Sequence, residues 1–375
     1  MQKRVGIVGG GQLGMMLAQA AKKLGFYVTV LDPTPNSPAS RYADIQIVKS
    51  FKNPEGIREL SKFSDFITFE IELANADVLE ELVSEGHVIN PSPQTLSIIK
   101  DKFGQKKFLE ANGIPVAPSV EIKDKEEIIA AAKEFGWPIL LKSRFDAYDG
   151  RGNALIKNGS EIDSALRKSN NEKLYVEKFI PFVKELAVVV ARGMSDEIIA
   201  YPPVETVHRN NICHVVLAPA PIDSSAAKKA ERLAIDIMSY LKGVGVFAIE
   251  MFLISDGDVI INEIAPRVHN SGHYTIEAHK TSQFEQHIRA VTGMALGRID
   301  MIVPHAVMIN ILGERTGAAD VSGVEEVLKI PGASIYIYGK IETRPERKMG
   351  HITVVDSNLE TAFTKAQLAR SYISI

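Results

Sequence analysis

A chain of 375 residues, with 45% hydrophobic and 24% charged residues, has the composition of a soluble globular protein of two or three domains. Its net charge of −3 provides no basic surface for nucleic acid or an anionic membrane. The single cysteine, Cys213, excludes an internal disulfide and a multi-cysteine metal site, so a reducing cytoplasm is the expected compartment.

The first residues imitate a signal peptide, because Lys3 and Arg4 precede an apolar stretch that ends in Ala-Gln-Ala at 18–20. Several glycines interrupt this stretch and a strand-like run follows too soon, so secretion is not expected. No apolar run approaches the ~18 residues that a membrane span requires.

Residues 1–95 alternate apolar runs with amphipathic stretches, the pattern of a Rossmann-like α/β domain with a parallel sheet. The predicted strands are RVGIV, YVTVL, DIQIV and DFITF, and the predicted helices are Leu13–Leu24, Pro54–Phe63 and Asn75–Ser84. Gly9, Gly11 and Gly14 fit G-x-G-x-x-G, with Asp32 about twenty residues beyond Gly11. Taken alone, this fingerprint predicts a nicotinamide-dependent dehydrogenase.

The rest of the chain divides into a helical connector (96–118), a small α+β unit (119–181), a larger unit (182–300) and a C-terminal part (301–375). One helix, Thr95–Asn112, is predicted in the connector. The predicted elements of the small unit are helices Lys125–Phe135 and Glu161–Ser169 and strands ILLKS, ALIKN and LYVEKFI. For the larger unit they are strands Leu186–Ala191, Cys213–Pro219, Val244–Ile254 and Val259–Ile264, helix Ser224–Leu241, and a helix that a Ser282/Glu285 capping box begins. These long apolar strands predict a mainly antiparallel sheet, and a last helix is predicted at Asn358–Ala369.

Two glutamates form the strongest chemical constellation. Asp256-Gly257 between two apolar strands predicts a two-residue hairpin, in which Ile254 faces Val259, Phe252 faces Ile261, Met251 faces Asn262 and Glu250 faces Glu263. Directly opposed carboxylates in apolar strands are destabilising unless a cation binds between them. Oxygen ligands predict Mg²⁺ at Glu250 and Glu263, with Asn262 as a further oxygen ligand. Two solvated glutamates at a sheet edge are the alternative.

Lys142 ends a buried type of strand just before the glycine-punctuated segment RFDAYDGRGN. Its ammonium is placed to reach phosphate oxygens, and Gly150 and Gly152 let backbone N–H groups approach a polyphosphate and let the loop close as a lid. The P-loop motif G-x-x-x-x-G-K-[ST] is absent from the sequence. A salt-bridged lysine followed by an ordinary hairpin turn is the alternative.

Three further segments are suited to ligands. Glu177–Ile180, a strand-to-loop segment, suits adenine, with Glu185 available for ribose hydroxyls, although an ordinary connector has the same pattern. The segment RVHNSGH (267–273) offers Arg267 to a carboxylate or phosphate and is interpreted as an anion site rather than a zinc site, because a third ligand in helical register is missing. The cationic segment 339–351 suits a second phosphate-bearing substrate or is merely solvated.

Together these segments resemble the ATP-grasp superfamily and, within it, the 5-(carboxyamino)imidazole ribonucleotide synthases of purine biosynthesis. The resemblance is carried, in order, by GGGQLGMM, LDP, TFEIE, DK, YDGRGN, NEIAPRVHNSGH, SQFEQHIRA and RPERKMGH, from residue 9 to residue 351. It implies an ATP-grasp fold with a Rossmann-like pre-ATP-grasp domain, a small central lid domain and a larger C-terminal domain.

The activity that the resemblance implies uses Mg·ATP and bicarbonate to form carboxyphosphate and transfers its carboxyl group to the amine of 5-aminoimidazole ribonucleotide. It also implies a homodimer, with a separate mutase acting on the product because this chain stops at Ile375. In this family the N-terminal domain binds no nicotinamide, and its glycine turn faces the ribonucleotide.

The resemblance assigns residues to five groups. The ATP-binding positions are Lys102, Lys142, Ala147, Tyr148, Asp149, Gly150, Arg151, Gly152, Asn153, Glu177, Lys178, Phe179, Ile180, Glu185, His208, Asn262 and Glu263. The bicarbonate or carboxyphosphate positions are Arg267, His269 and Asn270, and the loop group that closes near the reacting amine is Tyr148, Asp149 and Arg151, with Asp149 accepting or orienting its proton. The ribonucleotide positions are Gly10, Gly11, Gln12, Leu13, Glu72, Lys340 and Arg347, and the metal ligands are Glu250 and Glu263.

Two positions depart from the family pattern. Asp146-Ala147 stand where many relatives have Gly-Gly, which reduces the freedom of the loop, and Leu73 follows Glu72 where relatives have Asn or His. The alternatives are another ATP-grasp ligase, such as the formate-dependent glycinamide ribonucleotide enzyme or biotin carboxylase, a dehydrogenase, and an inactive nucleotide-binding regulator. If the chain were a dehydrogenase, the opposed Glu250 and Glu263 would have no function. An inactive regulator would be expected to lose a metal-binding carboxylate or Lys142, and the sequence keeps them all.

Overall fold

The alternating pattern of the first ninety residues forms the expected parallel sheet. The computed structural model describes residues 2–145, 152–169 and 173–375. The N-terminal elements are β1 (Arg4–Val8), α1 (Gln12–Lys23), β2 (Tyr27–Leu31), β3 (Ile45–Ile47), α2 (Pro54–Lys62), β4 (Phe66–Phe69), α3 (Ala76–Ser84) and β5 (Val88–Ile89). As far as the chain is described, the sheet has five strands in the order β3-β2-β1-β4-β5, with all pairs parallel. The four predicted strands and three predicted helices are confirmed to within two residues.

The turn between β1 and α1 explains two of the fingerprint glycines. Gly9 has a φ of 101°, a left-handed conformation that strains other residues. At Gly14, an added Cβ would lie 2.5 Å from the carbonyl oxygen of Gly9, so a side chain there would force the helix away from the turn. The glycines are therefore required by the packing of α1 on the turn, whatever ligand the turn serves.

The connector contains two helices, so the prediction of one helix over Thr95–Asn112 is wrong. The observed helices are α4 (Pro93–Lys100) and α5 (Lys102–Ala111). Asp101 separates them because it adopts an extended conformation and caps α5 by accepting a hydrogen bond from the Gly104 N–H at 3.1 Å. Arg144, from the small unit, also forms an ion pair with Asp101, which fixes this break against the neighbouring domain.

The small unit is an antiparallel sheet with two covering helices. Its elements are β6 (Ser119–Ile122), α6 (Lys125–Phe135), β7 (Ile139–Ser143), β8 (Asn153–Ile156), α7 (Ile162–Lys168) and β9 (Leu174–Lys178). Outside the gaps at 146–151 and 170–172, four strands pair in the order β6-β9-β7-β8. The predicted helix Lys125–Phe135 and strand ILLKS are confirmed, and the other predicted elements differ from the observed ones only at their ends.

Most of the remaining strands form one large antiparallel sheet, whereas β17 and β19 pair with each other in a separate two-stranded sheet. The elements are β10 (Lys184–Arg192), β11 (Ile198–Ala200), β12 (Val204–Arg209), β13 (Ile212–Ala218), α8 (Ser224–Leu241), β14 (Gly245–Leu253), β15 (Val259–Ala265), α9 (Thr275–Ala278), α10 (Gln283–Val291), β16 (His305–Leu312), β17 (Gly317–Ala318), α11 (Val324–Leu328), β18 (Ala333–Ile337), β19 (Glu342–Thr343), β20 (Lys348–Asp356) and α12 (Leu359–Tyr372). The described strands of this sheet follow the order β15-β14-β10-β12-β13-β16-β20-β18, and β11 pairs with β10. Because β13 pairs with β16, the sheet runs continuously across residue 300.

Side chains of the N-terminal domain and the large sheet share a core. Leu17 of α1, Val246 of β14 and Ile288 of α10 belong to one buried cluster. His287 joins the domains by a polar route, because its Nε2 lies 2.7 Å from Thr68 Oγ1 and its Nδ1 accepts the Val246 N–H at 3.0 Å. Ser282 caps α10 as predicted, accepting the Glu285 N–H at 3.3 Å. In the part of the chain that is described, no helix has both the length and the apolar character needed to cross a membrane.

Four buried histidines and the partly buried His269 make an acid-labile fold the expected result. Removal from water lowers the pKa of these five imidazoles, which are His269, His273, His279, His287 and His351, because it disfavours the charged form. Below about pH 6 the unfolded chain therefore binds protons that the folded chain does not bind. We predict that the free energy of unfolding falls between about pH 6 and pH 5, by up to about 1.4 kcal/mol per pH unit for each such histidine.

Urea denaturation at several pH values measures this effect. For His287, whose pKa burial lowers to about 3, a His287→Gln variant should show a shallower pH dependence than the wild type, by the contribution of one histidine. An equal free energy of unfolding at pH 7 and pH 5 would contradict the prediction.

Candidate active site

The carboxylates of Glu250 and Glu263 are opposed as predicted, but the hairpin that opposes them differs from the prediction. The Gly257 N–H bonds to Ile254 O at 3.0 Å, the Ile254 N–H bonds to Asp258 O at 2.9 Å, and Gly257 has a φ of 84°. The turn is therefore a three-residue loop rather than a two-residue loop.

A bulge between Glu250 and Met251 restores the predicted pairing farther along the hairpin. Before the bulge, Phe252 pairs with Ile260 and Met251 with Ile261, so their predicted partners are wrong. Asn262 is the additional residue, and beyond it Glu250 pairs with Glu263. The three-residue loop shifts the register by one residue, and the bulge shifts it back before the strands reach the two carboxylates.

Each of the two carboxylates has a nitrogen neighbour from another element. His269 Nε2 lies 3.4 Å from Glu250 Oε1, and Lys102 Nζ lies 2.9 Å from Glu263 Oε2. Burial, together with the charge of Glu263, raises the pKa of Glu250. In the described segments, no group of three or more His, Cys, Asp or Glu side chains could hold a metal ion. A divalent cation on this pair therefore requires oxygen ligands from phosphate or water, the usual arrangement for Mg²⁺.

Lys142 lies in a buried ion pair with Glu177, at 2.9 Å between Nζ and Oε1. The other oxygen of Glu177 lies 3.0 Å from the Nζ of Lys106, a residue of α5 that sequence analysis missed. Although burial alone would raise it, the pKa of Glu177 is lowered by these two ammonium groups. The only sequence signal for Lys106 is that it shares the buried face of α5 with Gln105 and Leu109.

The proposed adenine segment leaves the small sheet where expected, because β9 ends at Lys178 and Phe179 and Ile180 follow as a half-buried loop. Glu185 of β10 lies 3.2 Å from His208, between Oε2 and Nδ1. Burial opposes protonation of His208, but its hydrogen bond and charge interaction with Glu185 raise its pKa. Gly152 has a φ of 81°, and Asn153 pairs with Lys142 in the sheet. Ala147, Tyr148, Asp149, Gly150 and Arg151 lie outside the described residues.

Acidic side chains already occupy the amides of the glycine turn. Asp32 Oδ2 accepts the Gly10 N–H at 2.8 Å, and Glu70 Oε1 accepts the Gly11 N–H at 2.7 Å. Gln12 begins α1 and is half-buried, whereas Leu13 is buried. The carboxylate that a dinucleotide-binding domain offers to a ribose is thus engaged by the turn itself. Burial raises the pKa of Glu70 to about 7, although the Gly11 N–H and Arg267 oppose this shift.

Arg267 connects the glycine turn with the carboxylate pair. Its Nε lies 2.9 Å from Oε1 of Glu72, so the proposed ribose ligand and the proposed bicarbonate ligand contact each other. Burial alone would lower the pKa of this guanidinium, but Glu72, Glu70 and Glu263 raise it. A predicted bicarbonate residue and a predicted ribonucleotide residue therefore meet at this guanidinium, which also interacts with the charge of Glu263.

The residues after Arg267 fix which ring nitrogen of His269 carries the proton. The Ser271 N–H and hydroxyl approach His269 Nδ1 at 3.3 and 2.9 Å, so Nδ1 accepts and Nε2 carries the proton. Burial keeps the pKa of this imidazole well below its usual range, so it is a neutral donor. Asn270 and Asn310 exchange two amide hydrogen bonds, at 2.9 and 2.6 Å. His273 is turned elsewhere, with Nδ1 3.2 Å from Gln283 Nε2.

The cationic C-terminal loop approaches the same centre. Lys340 Nζ donates to Lys348 O at 2.7 Å and lies 5.7 Å from the centre of the Tyr338 ring, while Arg347 donates to Glu342 O at 2.6 Å. Burial and the nearby Arg347 lower the pKa of Lys340 to about 8. The charge of Glu70, whose carboxylate accepts the Gly11 N–H, acts on the pKa of Lys340 in the opposite direction.

Comparison with known proteins supports the whole architecture. Residues 1–100 match the ribonucleotide synthetase preATP-grasp domain, residues 107–284 the ATP-grasp domain, and residues 306–365 the phosphoribosylaminoimidazole carboxylase C-terminal domain. The phosphoribosylaminoimidazole carboxylase of Ogataea methanolica is 44% identical over 366 residues, which are 95% of this chain and 67% of that protein. The chain spans about two thirds of the length of the fungal carboxylases that it matches.

Two solved structures match over nearly their full length. The N5-carboxyaminoimidazole ribonucleotide synthetase of Thermotoga maritima is 47% identical, with a TM-score of 0.91, and the match covers 100% of this chain and 99% of that one. The synthase of Aspergillus clavatus, in complex with ADP and 5-aminoimidazole ribonucleotide, is 38% identical, with a TM-score of 0.92 and coverage of 99% and 98%. The chain therefore belongs to the N5-carboxyaminoimidazole ribonucleotide synthase family of ATP-grasp enzymes.

Proposed function

We propose that this chain carboxylates 5-aminoimidazole ribonucleotide with bicarbonate and ATP, giving N5-carboxyaminoimidazole ribonucleotide, ADP and phosphate in purine biosynthesis. The observation that carries the proposal is that Arg267 pairs with Glu72 of the N-terminal domain and that its pKa is also raised by the charges of Glu70 and Glu263. Such a centre can join a phosphoryl transfer on one side to a carboxyl transfer on the other.

The nucleotide half of the site is suited to a Mg·ATP complex. Lys102 supplies an ammonium group at Glu263 and Lys142 supplies one at Glu177, and Glu185 and His208 form a pair on the large sheet that carries Glu250. Glu250 and Glu263, with Asn262 beside them in the bulge, are the residues that would hold the cation. Magnesium would neutralise charge on the phosphate oxygens during phosphoryl transfer.

The carboxyl half of the site is suited to a small anion. A bicarbonate oxygen attacks the γ-phosphorus and the bond to ADP breaks, giving carboxyphosphate. Arg267 offers a guanidinium and His269 a neutral Nε2–H donor, so both stabilise negative oxygen without taking its proton. The amine nitrogen of the ribonucleotide then attacks the carboxyl carbon, loses a proton, and phosphate leaves with one bicarbonate oxygen.

Lys340 and Arg347 are proposed to bind the ribonucleotide phosphate, and Glu72 and the turn residues 10–13 the rest of that substrate. Asp32 and Glu70 occupy the turn amides, so phosphate recognition there is assigned to the cationic loop instead. The roles of Tyr148, Asp149 and Arg151 at the amine stay predictions, as do the homodimer, the separate mutase and the cytoplasmic location.

Oxygen-18 bicarbonate tests the proposed reaction, because carboxyphosphate delivers one bicarbonate oxygen to each phosphate released. We expect ribonucleotide-dependent release of phosphate that carries one labelled oxygen, measured by mass spectrometry. Glu263→Gln should reduce the rate about a hundredfold or more, since it removes a metal ligand. Asp256→Asn, in the exposed turn of the same hairpin, is the matched control and should retain the rate. Unlabelled phosphate, or release that does not need the ribonucleotide, would contradict the proposal.

The lowered pKa of Lys340 predicts a pH dependence for the ribonucleotide. The ammonium form, which attracts phosphate, is present below about pH 8 and is lost above it. We therefore expect the KM for 5-aminoimidazole ribonucleotide to rise as the pH passes through about 8, measured at saturating ATP. In Lys340→Arg the rise should move to higher pH, because a guanidinium stays charged. A KM that is constant from pH 7 to pH 9.5 in the wild type would show that Lys340 does not bind the phosphate.

A further inference from the structure

Lys106 occupies an unusual position for a lysine. Its side chain is 3% exposed, and its Nζ lies 3.0 Å from Glu177 Oε2 and donates to Ile261 O at 3.3 Å. Burial lowers the pKa of Lys106, and the charge of Glu177 opposes that shift. A buried ammonium is costly unless the fold uses it, so its retention in this place requires a reason.

The charges around Glu177 do not balance. One carboxylate, 1% exposed, serves two ammonium groups, Lys142 at one oxygen and Lys106 at the other. If Lys142 alone faced Glu177, the pair would be neutral and its attraction for an anion would be weak. With Lys106 present, the three groups carry a surplus positive charge in a low-dielectric region, where such a charge attracts an anion strongly.

Lys106 also ties the two halves of the nucleotide site together. Glu177 lies on β9 of the small unit, whereas Ile261 lies on β15, two residues before the proposed metal ligand Glu263. The neighbouring Gln105 reinforces this connection, because its side chain accepts the Ile264 N–H at 3.0 Å and donates to Ile264 O at 3.3 Å. One turn of α5 thus holds β15 and, through Glu177, the lysine at the end of β7.

We infer that Lys106 is a positioning residue for the nucleotide phosphates: it shares Glu177 with Lys142, leaves the Lys142 ammonium only partly neutralised, and fixes it relative to Glu263. Lys106 acts through Glu177 and does not touch the nucleotide. The inference rests on the proposed function, since it takes the anion to be the polyphosphate of ATP.

Lys106→Met tests this inference, with Lys107→Met as the matched control. Methionine has a similar volume, and Glu177 keeps Lys142 as a partner, so the fold is expected to survive. Lys107 is the adjacent residue, but its side chain is 46% exposed and pairs with Glu110 at the surface. We expect Lys106→Met to weaken the binding of Mg·ADP about tenfold in calorimetry and to raise the KM for ATP to a similar extent. Lys107→Met should remain within about twofold of the wild type.

A merely structural role would move the unfolding temperature and not the affinity. Binding of Mg·ADP by folded Lys106→Met within about twofold of the wild type would therefore overturn the inference. If Lys106→Met does not fold, Lys106→Gln replaces it, because glutamine keeps a hydrogen-bond donor without the charge. Weakened binding of Mg·ADP by this variant would support the inference, and binding within about twofold of the wild type would overturn it. Lys106→Arg, which restores the cation, should recover part of the affinity, and failure to recover any would count against the charge argument. Absence of Mg·ADP binding by the wild type would overturn the proposed function itself.

Discussion

The candidate active site is built around the electrostatic repulsion between two opposed carboxylates. Glu250 and Glu263 face each other across two apolar strands, where like charges destabilise the fold and burial raises the pKa of Glu250. The surrounding groups compensate in part, with Lys102 against Glu263 and the neutral His269 against Glu250. The bulge between Glu250 and Met251 is what keeps the two carboxylates opposed. A hairpin designed for stability alone would avoid this arrangement, which is why we propose that the pair binds a cation.

The other charged groups of the candidate site link the three sheets to one another. Arg267 balances Glu72 and Glu70 of the N-terminal domain and also feels the charge of Glu263, so it couples the first sheet to the third. Lys142 and Lys106 balance Glu177, which couples the second sheet to the same place. Three domains therefore meet through ion pairs, of which those of Glu177 with Lys106 and Lys142 are buried. Removing one partner of such a pair commonly costs several kcal/mol, whereas most surface ion pairs contribute little.

The glycine turn illustrates how a strong motif can mislead. Its sequence fits the dinucleotide fingerprint, and its geometry explains why: Gly9 needs a positive φ, and Gly14 lies against the carbonyl oxygen of Gly9. These are requirements of a strand-to-helix turn, and they hold for any ligand. The turn amides bind Asp32, which the motif specifies, and Glu70, which it does not, so the motif alone does not show that these amides are already occupied.

Local patterns predicted the strands, most helices and the opposition of Glu250 and Glu263, because periodicity, caps and turn residues act over a few positions. They failed where the outcome depended on distant partners. The pairing of Glu250 with Glu263 was predicted from a two-residue turn that is wrong, and it is nevertheless correct because a bulge restores the register. The break at Asp101 is reinforced by Arg144, forty-three residues away. Neither the buried Lys106 nor the continuity of β13 with β16 could be predicted, since long-range pairing leaves no local pattern.

Manganese binding is the most direct test of the claim that the opposed carboxylates hold the cation of the nucleotide, because Mn²⁺ replaces Mg²⁺ on oxygen ligands and is visible by electron paramagnetic resonance. The titration compares the wild type, Glu250→Gln and Glu263→Gln, with and without ADP. We expect tight Mn²⁺ binding to the wild type only when ADP is present, weakened about tenfold or more in each variant. Equal ADP-dependent binding of Mn²⁺ by all three proteins would contradict it and would move the metal site away from the hairpin.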